Sequence, residues 1–313
     1  MLRIVVRRLL LSIPLLVVVS GITFVLESFV PGDPATALLG LNASPEQYAA
    51  VRAALHLDEP ILQQYWLYLR DALGGDFGRS IFTSESVTGM VAGRLPVTLS
   101  LVVGATVLAA VAGALLGVVS ATRGRALRRL VDVTSLAGNA LPNFWVALVL
   151  SAVFAVALGW LPATGYVPFG ESPRGWATSL VLPVVALSVG GVALIAKVTR
   201  DAMLTTLELD YIRTLRACNV STRSIVWRHA LRNSGLAVAT AIGLTMIGFV
   251  PGAILVENVF VLPGLGNAVV AATNQHDLPV VQGIGLTFAV IVIAVNLLVD
   301  VAYGLLNPKV RDA

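Results

Sequence analysis

Six stretches of this chain, at 9–26, 96–122, 133–170, 175–196, 233–256 and 278–299, run for about 18 residues or more without a charged side chain. That pattern limits the fold more than any single motif does. In lipid every backbone N–H and C=O must find a partner inside the structure, and ~20 apolar residues in a helix cross the hydrocarbon layer. The composition agrees, with 57% of residues hydrophobic and 12% charged, about half the charged share of soluble proteins. An all-α membrane protein with six transmembrane helices is the expected fold, with room for one small extramembrane domain but not for a large soluble catalytic one. The first stretch follows Arg3, Arg7 and Arg8, as a secretory signal would, but it exceeds the ~7–15 apolar residues of a signal core. It also ends in Glu27 and Pro31-Gly32-Asp33-Pro34, so it reads as a retained first span. The third stretch is long enough to include part of an outer loop around Trp160-Leu161-Pro162.

Charge sets the orientation. With the N-terminus inside, the inner segments hold 16 of the 21 Lys and Arg residues, seven of them between Lys197 and Arg232. Inserted proteins keep Lys and Arg on the cytoplasmic side, so both termini are expected there. The segment 31–95 then lies outside. It looks ordered: Ser44-Pro45-Glu46-Gln47 has capping-box spacing with Pro at the first helical position, and a second helix is expected from Asp58-Glu59-Pro60 to about Ala72, ended by Gly74-Gly75. Inside, Met203, Leu207, Tyr211 and Leu215 recur every four residues, which predicts one amphipathic helix from Asp201 to Cys218. A turn at Asn219-Val220-Ser221 and a short helix from Thr222 to about Asn233 complete a helix–turn–helix, with Asn219 suited to the left-handed turn position.

Several chemistries find no support in the sequence. The two lysines, Lys197 and Lys309, follow Ala and Pro rather than the glycine of a P-loop, and His-Glu-x-x-His and Gly-x-Ser-x-Gly are both missing. Glu27, Glu257 and Asp300 sit near span boundaries rather than paired at mid-membrane, where a proton-coupled carrier or an aspartyl intramembrane protease would place its ionisable groups. Cys218 has no partner for a disulfide, and His56, His229 and His276 are too scattered for a metal cage. No catalytic residue, metal site or nucleic-acid partner is expected.

The inner loop, with Asp210-Tyr211-Ile212-Arg213-Thr214, Arg216-Ala217 and Arg228-His229-Ala230-Leu231-Arg232-Asn233, resembles the cytoplasmic loop of permease subunits from binding-protein-dependent ABC importers. More narrowly the chain resembles the dipeptide/oligopeptide/nickel permease family. The likeness extends over Pro31-Gly32-Asp33-Pro34-Ala35, Gly75-Asp76-Phe77-Gly78, Arg94-Leu95-Pro96-Val97-Thr98, Pro142-Asn143-Phe144-Trp145, Val256-Glu257-Asn258-Val259-Phe260 and Asn296-Leu297-Leu298-Val299-Asp300. Each motif is weak alone; their order over about 300 residues carries the signal. The resemblance implies a type I importer fold, divided into 1–30, an external segment 31–95, a core 96–306 with the coupling loop 200–235, and a tail 307–313.

The resemblance further implies that Glu208, Asp210, Tyr211, Ile212, Arg213, Thr214, Arg216, Ala217 and Asn219 form a coupling element for a cytoplasmic ATPase. A helix lying on anionic lipid is the alternative from composition. Implied partners are a second permease, two ATPase subunits that bind ATP and Mg²⁺, an external binding protein and the bilayer, with no cofactor in this chain. Cys218-Asn219 stands where the family has Lys-Gly, and Ala237 where it has proline. Gly248-Phe249-Val250-Pro251-Gly252 in span five is the candidate gate, with a proline kink of packing origin as the alternative, and Glu257 faces the path, a binding protein or water at the span boundary. Gly113 and Gly117 have the spacing for close helix contact. Peptides are the first substrate expectation, nickel the second, and a self-sufficient carrier or channel the alternative from another class.

Overall fold

The computed structural model describes residues 2–29, 34–40, 43–54, 57–124, 129, 131–134, 138 and 140–306. The Pro31-Gly32-Asp33 part of the first motif, His56, Arg125, Arg128 and the tail from 307 lie outside them. The described chain is helical: α1 Leu2–Ser28, α2 Pro34–Leu39, α3 Pro45–Ala54, α4 Ile61–Leu73, α5 Val87–Thr122, α6 Asn143–Ala157, α7 Pro173–Leu207, α8 Asp210–Ala217, α9 Thr222–Phe260, α10 Leu265–Gln275 and α11 Leu278–Leu306. Among the described residues α1, α5, α7, α9 and α11 are long and apolar enough to cross a membrane.

The third expected span differs from the other five. Residues 131–134, 138 and 140 are helical, Leu141 and Pro142 are not, and the shorter apolar helix α6 restarts at Asn143. Pro142 is extended, with ψ of 134°. Proline has no N–H to donate and disfavours helical backbone at the residue before it, so a break at this position follows. The second half of α6, Ser151–Ala157, is a π-helical turn, and Gly159 closes it with φ of 64°.

By its contacts the chain forms two compact units. One comprises residues 1–5, 98–262 and 294–313, the other 6–97 and 263–293. In the first, α7 packs on α6 and α9, and α9 on α6. Small residues permit this closeness. A Cβ at Gly113 would stand 2.8 Å from Ile195 Cβ, one at Gly117 would stand 2.6 Å from Thr199 Cβ and 2.7 Å from the Ala196 carbonyl, and one at Gly191 would meet Phe249 at 2.5 Å. Toward the end of α7 that leads into α8, Val118 and Ala121 of α5, Met203 of α7 and Val226 and Ala230 of α9 form a buried cluster.

The second unit is built around Val87 and Val91 of α5, Leu265, Ala268 and Ala272 of α10, and Val280 and Ile284 of α11. Helix α10 is an element the sequence reading did not anticipate. The capping box of α3 is present, with Ser44 N donating to Gln47 Oε1 at 2.8 Å and Gln47 N to Ser44 Oγ at 3.3 Å. Ahead of α5, an isolated bridge pairs Arg79 with Ser86. Ser80 Oγ donates to the buried Asp277 carboxylate at 2.5 Å, which also accepts from Ile81 N at 3.2 Å.

Adding a methyl group at Gly117 forces a backbone carbonyl and a β-branched side chain apart, so Gly117→Ala should destabilise by about 1–3 kcal/mol. Gly93, also in α5, has nothing within 4 Å of an added Cβ, so Gly93→Ala should leave stability equal or slightly raised. Thermal unfolding of the two purified variants in lipid nanodiscs distinguishes them.

Candidate functional site

The cation-rich loop takes a form that the four-residue periodicity does not reveal. The expected single helix from Asp201 to Cys218 is split. Helix α7 continues from its span through Leu207, the chain breaks at Glu208-Leu209, and α8 begins at Asp210. Leu209 is extended, with ψ of 147°. Met203, which the periodicity places on the same apolar ridge as Tyr211, is fully buried in α7, whereas Tyr211 is exposed on α8. The expected short second helix is also revised: Thr222 to Asn233 is the start of α9, which runs on to Phe260 through a π-helical turn at Ile225–Ala230. Helix α8 is thus a short rod between two long ones.

The two ends of α8 differ: Leu209 gives the first no side-chain cap. Asp210 places a negative charge in its first turn, where the helix dipole favours it. At the far end Val220 N donates to Leu215 O and Asn219 N to Arg216 O, each at 3.0 Å, and Asn219 has φ of 56°. These are the paired bonds of a Schellman motif with Asn in the left-handed position. Ser221 then opens α9, its Oγ accepting from Ser224 N at 3.4 Å. Ile212 is fully buried, while Glu208, Asp210, Tyr211, Arg213, Thr214, Arg216, Ala217 and Asn219 are exposed. The rod therefore hangs from one apolar anchor and presents its polar and cationic side chains outward. Arg213 and Asp210 pair at 3.1 Å with both side chains mostly in solvent, a contact of little energetic weight.

The sequence reading missed a charge cluster just before this loop. Arg200, 8% exposed, donates from Nη1 to Asp132 Oδ1 at 2.5 Å and from Nε and Nη2 to Asp201 Oδ1 at 3.0 and 2.9 Å. The pairing joins α7 to the segment 131–134, across 68 residues of sequence. Arg200 was visible only as one of seven cations, and nothing in the pattern pointed to Asp132.

Midway along α7 an open cavity of about 350 Å³ is lined by Gly190, Gly191 and Leu194 of α7, Leu244, Thr245, Gly248 and Phe249 of α9, and Gly138, Leu141, Pro142 and Asn143. Of the candidate gate residues, Gly248 stands on its wall. Gly252 lies beside it, where a Cβ would come 2.9 Å from Asn143 Nδ2. Pro251 is exposed on α9. Glu257 is elsewhere: it is fully buried and accepts a hydrogen bond from Thr98 Oγ1 at 2.6 Å. The structure thereby joins the Arg94-to-Thr98 and Val256-to-Phe260 motifs, which are far apart in sequence. The wall around Gly248 is glycine-rich, mixes polar with apolar surface, and carries Thr245 and Asn143 as its polar side chains.

The chain belongs to the family described as the binding-protein-dependent transport system inner membrane component, whose model matches residues 109–312, with the model for the N-terminal part of such membrane components matching residues 1–102. It is a multi-pass permease subunit of an ABC importer with the type I importer fold. Among its relatives are a protein of Brucella abortus, 39% identical over 308 residues and 98% of both chains, and two named for their cargo. These are the dipeptide transport system permease protein DppB of Alkalihalophilus pseudofirmus, 35% identical over 99% of this chain and 100% of its own, and the di/tripeptide transport system permease protein DppB of Pseudomonas aeruginosa, 37% identical over 99% of each.

A left-handed backbone costs a side chain with a Cβ roughly 1–2 kcal/mol, less for Asn and nothing for Gly. Asn219→Ala should therefore lower the stability of the loop by about 1 kcal/mol while Asn219→Gly is neutral or stabilising. Hydrogen exchange at Asn219 and Val220, whose amides close the motif, reads the difference directly.

Proposed function

We propose that this chain is the peptide-importing permease subunit of an ATP-driven importer, forming half of a translocation path whose other half comes from a second permease. The observation that carries the proposal is α8: a rod of eight residues with one buried anchor and a firm turn at its far end, directly linking two helices long enough to span a membrane. Such an element transmits a push. Docked in a groove on a cytoplasmic ATPase, it would move with that subunit. Because Met203 and Ile212 are buried and α9 continues without interruption, motion at α8 passes into α7 and α9.

Those two helices also bear most of the cavity wall. When partner ATPase subunits close around ATP and Mg²⁺, the coupling rods of the two permeases approach, the bundles turn, and the cavity opens toward an external binding protein; hydrolysis resets the arrangement. Glu208, Asp210, Tyr211, Ile212, Arg213, Thr214, Arg216, Ala217 and Asn219 carry the coupling. Gly248 supplies wall, Gly252 leaves room for Asn143, and the proline at 251 permits local bending because it frees one backbone carbonyl. The Thr98 to Glu257 bond ties α5 to α9 near the far end of α9, as a closing contact. In this arrangement both termini face the cytoplasm of a bacterial cell and the chain resides in the inner membrane, as the distribution of Lys and Arg supports.

Peptide is favoured over nickel as cargo because the named relatives handle dipeptides and tripeptides. The test is uptake by proteoliposomes containing this permease, its partner permease, both ATPase subunits and the binding protein. Labelled dipeptide should accumulate only with ATP. Replacing Arg213 and Arg216 with Ala should weaken ATPase association by about 2 kcal/mol and reduce uptake accordingly. Flux that persists without any ATPase, or that ignores the double substitution, rejects the coupling role; Ni²⁺ binding by the binding protein in place of peptide rejects the cargo.

A further inference from the structure

Helix α4 has its apolar face turned outward. Leu62, Trp66, Leu69 and Leu73 fall at i, i+4, i+7 and i+11, one stripe along the helix. Leu62 is 82% exposed, Trp66 65% and Leu73 83%. On the opposite side Gln64 and Asp71 line a cavity of about 240 Å³ with Asp76 and Gln282. Leu67 and Tyr68 of α4 line the same cavity, so the helix is apolar on both sides, and a stripe of large apolar groups this exposed is not what water selects.

The contacts of α4 fix its level along α1, a span in the same compact unit. The Tyr65 ring packs edge-on against Phe24 with centroids 5.7 Å apart and stands 3.6 Å from where a Cβ on Gly21 would lie. Its hydroxyl donates to the Val17 carbonyl at 2.8 Å and lies 2.9 Å from Ser20 Oγ. The apolar window of α1 runs over Arg8–Leu26, so Val17 is its middle residue. At ~1.5 Å per residue, Val17 lies about 13 Å inside the Leu26 end and Phe24 about 3 Å inside it. A helix resting in water beyond the membrane cannot bring a tyrosine ring to that level. Those two levels bracket the depth of amphipathic helices lying at the headgroup and acyl boundary, about 5–10 Å.

We propose that α4 is embedded in the leaflet reached by the C-terminal half of α1, with lipid acyl chains covering Leu62, Trp66, Leu69 and Leu73. Gln63 and Arg70, exposed along one edge of the stripe, reach toward the headgroups, the long Arg side chain snorkelling as such residues do. The covered face is continuous with α1, whose Ile13, Val18 and Ile22 are each more than half exposed and meet the same lipid. The segment between the first two spans is therefore a membrane-surface element in part, and not wholly a water-side domain.

Trp66 supplies its own probe. The complete importer, wild type and Trp66→Phe, is placed in nanodiscs of ordinary phosphatidylcholine and of phosphatidylcholine brominated along one acyl chain, and the variant's emission is subtracted from that of wild type. Because Trp66 is largely exposed and Phe keeps the ring apolar, the fold is retained. The difference spectrum should be blue-shifted, lost in brominated bilayers and insensitive to iodide. Emission at the wavelength of a water-exposed tryptophan, quenched by iodide and untouched by brominated lipid, would overturn the proposal. Protection from iodide that arises only when the binding protein is added, again without lipid quenching, would assign the stripe to that protein instead and equally overturn it.

Discussion

Lipid gives two apolar helices no reason to leave it for one another, so association inside a membrane depends on how closely backbones can approach. In this chain α7 is one place where that approach happens, and Gly243 of α9 against Val299 of α11 is another. Gly113 and Gly117 of α5 close on Ile195 and Thr199, Gly191 of α7 itself closes on Phe249 and Thr245 of α9, and Gly138 closes on Ala193. The missing side chains bring α7 into contact on several sides at once. The cavity at Gly190 and Gly248 and the position of the α8 rod both follow from that packing. A larger residue at any of these contacts does more than loosen one pair of helices: it moves the axis on which the rod and the cavity wall are carried.

The few charges and polar groups buried among these helices show the complementary constraint. A buried carboxylate or guanidinium is costly unless it is met by a partner. Glu257 receives a hydrogen bond from Thr98, Asp277 from Ser80 and Ile81, and Arg200 is paired with Asp132 and Asp201. In each case an element distant in sequence is fixed in position. Thr98 to Glu257 joins α5 to α9, Asp277 holds the turn ahead of α5 to the chain between α10 and α11, and Arg200 reaches the segment before the break at Pro142.

What the sequence revealed was local or periodic. Apolar runs predicted five of the long helices, the spacing of Ser44 and Gln47 predicted a capping box, and Asn219 was legible as a left-handed turn because few other residues suit one. The features that stayed hidden arise where a local signal competes with tertiary packing. A four-residue apolar spacing looks the same whether one helix continues or, as at Glu208-Leu209, two meet at an angle, since Met203 and Ile212 are both apolar but occupy different buried sites. Pro142 lies in the Pro142-Asn143-Phe144-Trp145 motif, but the run 133–170 holds no charged residue to mark a break there. Thr98 and Glu257 each sit in a recognisable motif, and no one-dimensional pattern says that the two touch. The outward stripe of α4 was also visible as letters, but its direction depends on where Tyr65 meets α1.

The π-helical turn at Ile225–Ala230 has a further consequence for how this chain can change over time. Helix α9 is unbroken from Thr222 to Phe260, so α8 and the cavity wall are geared together: each residue added or removed between them rotates Gly248 by about 100° about the helix axis. A π-helical turn is the kind of place where one extra residue can be absorbed without ending a helix. Its presence here sets the angular phase between the loop and the cavity. The loops around α2 and α3 can vary in length with little effect on that phase, whereas the stretch from Ser221 to Gly248 can drift in composition but not in count.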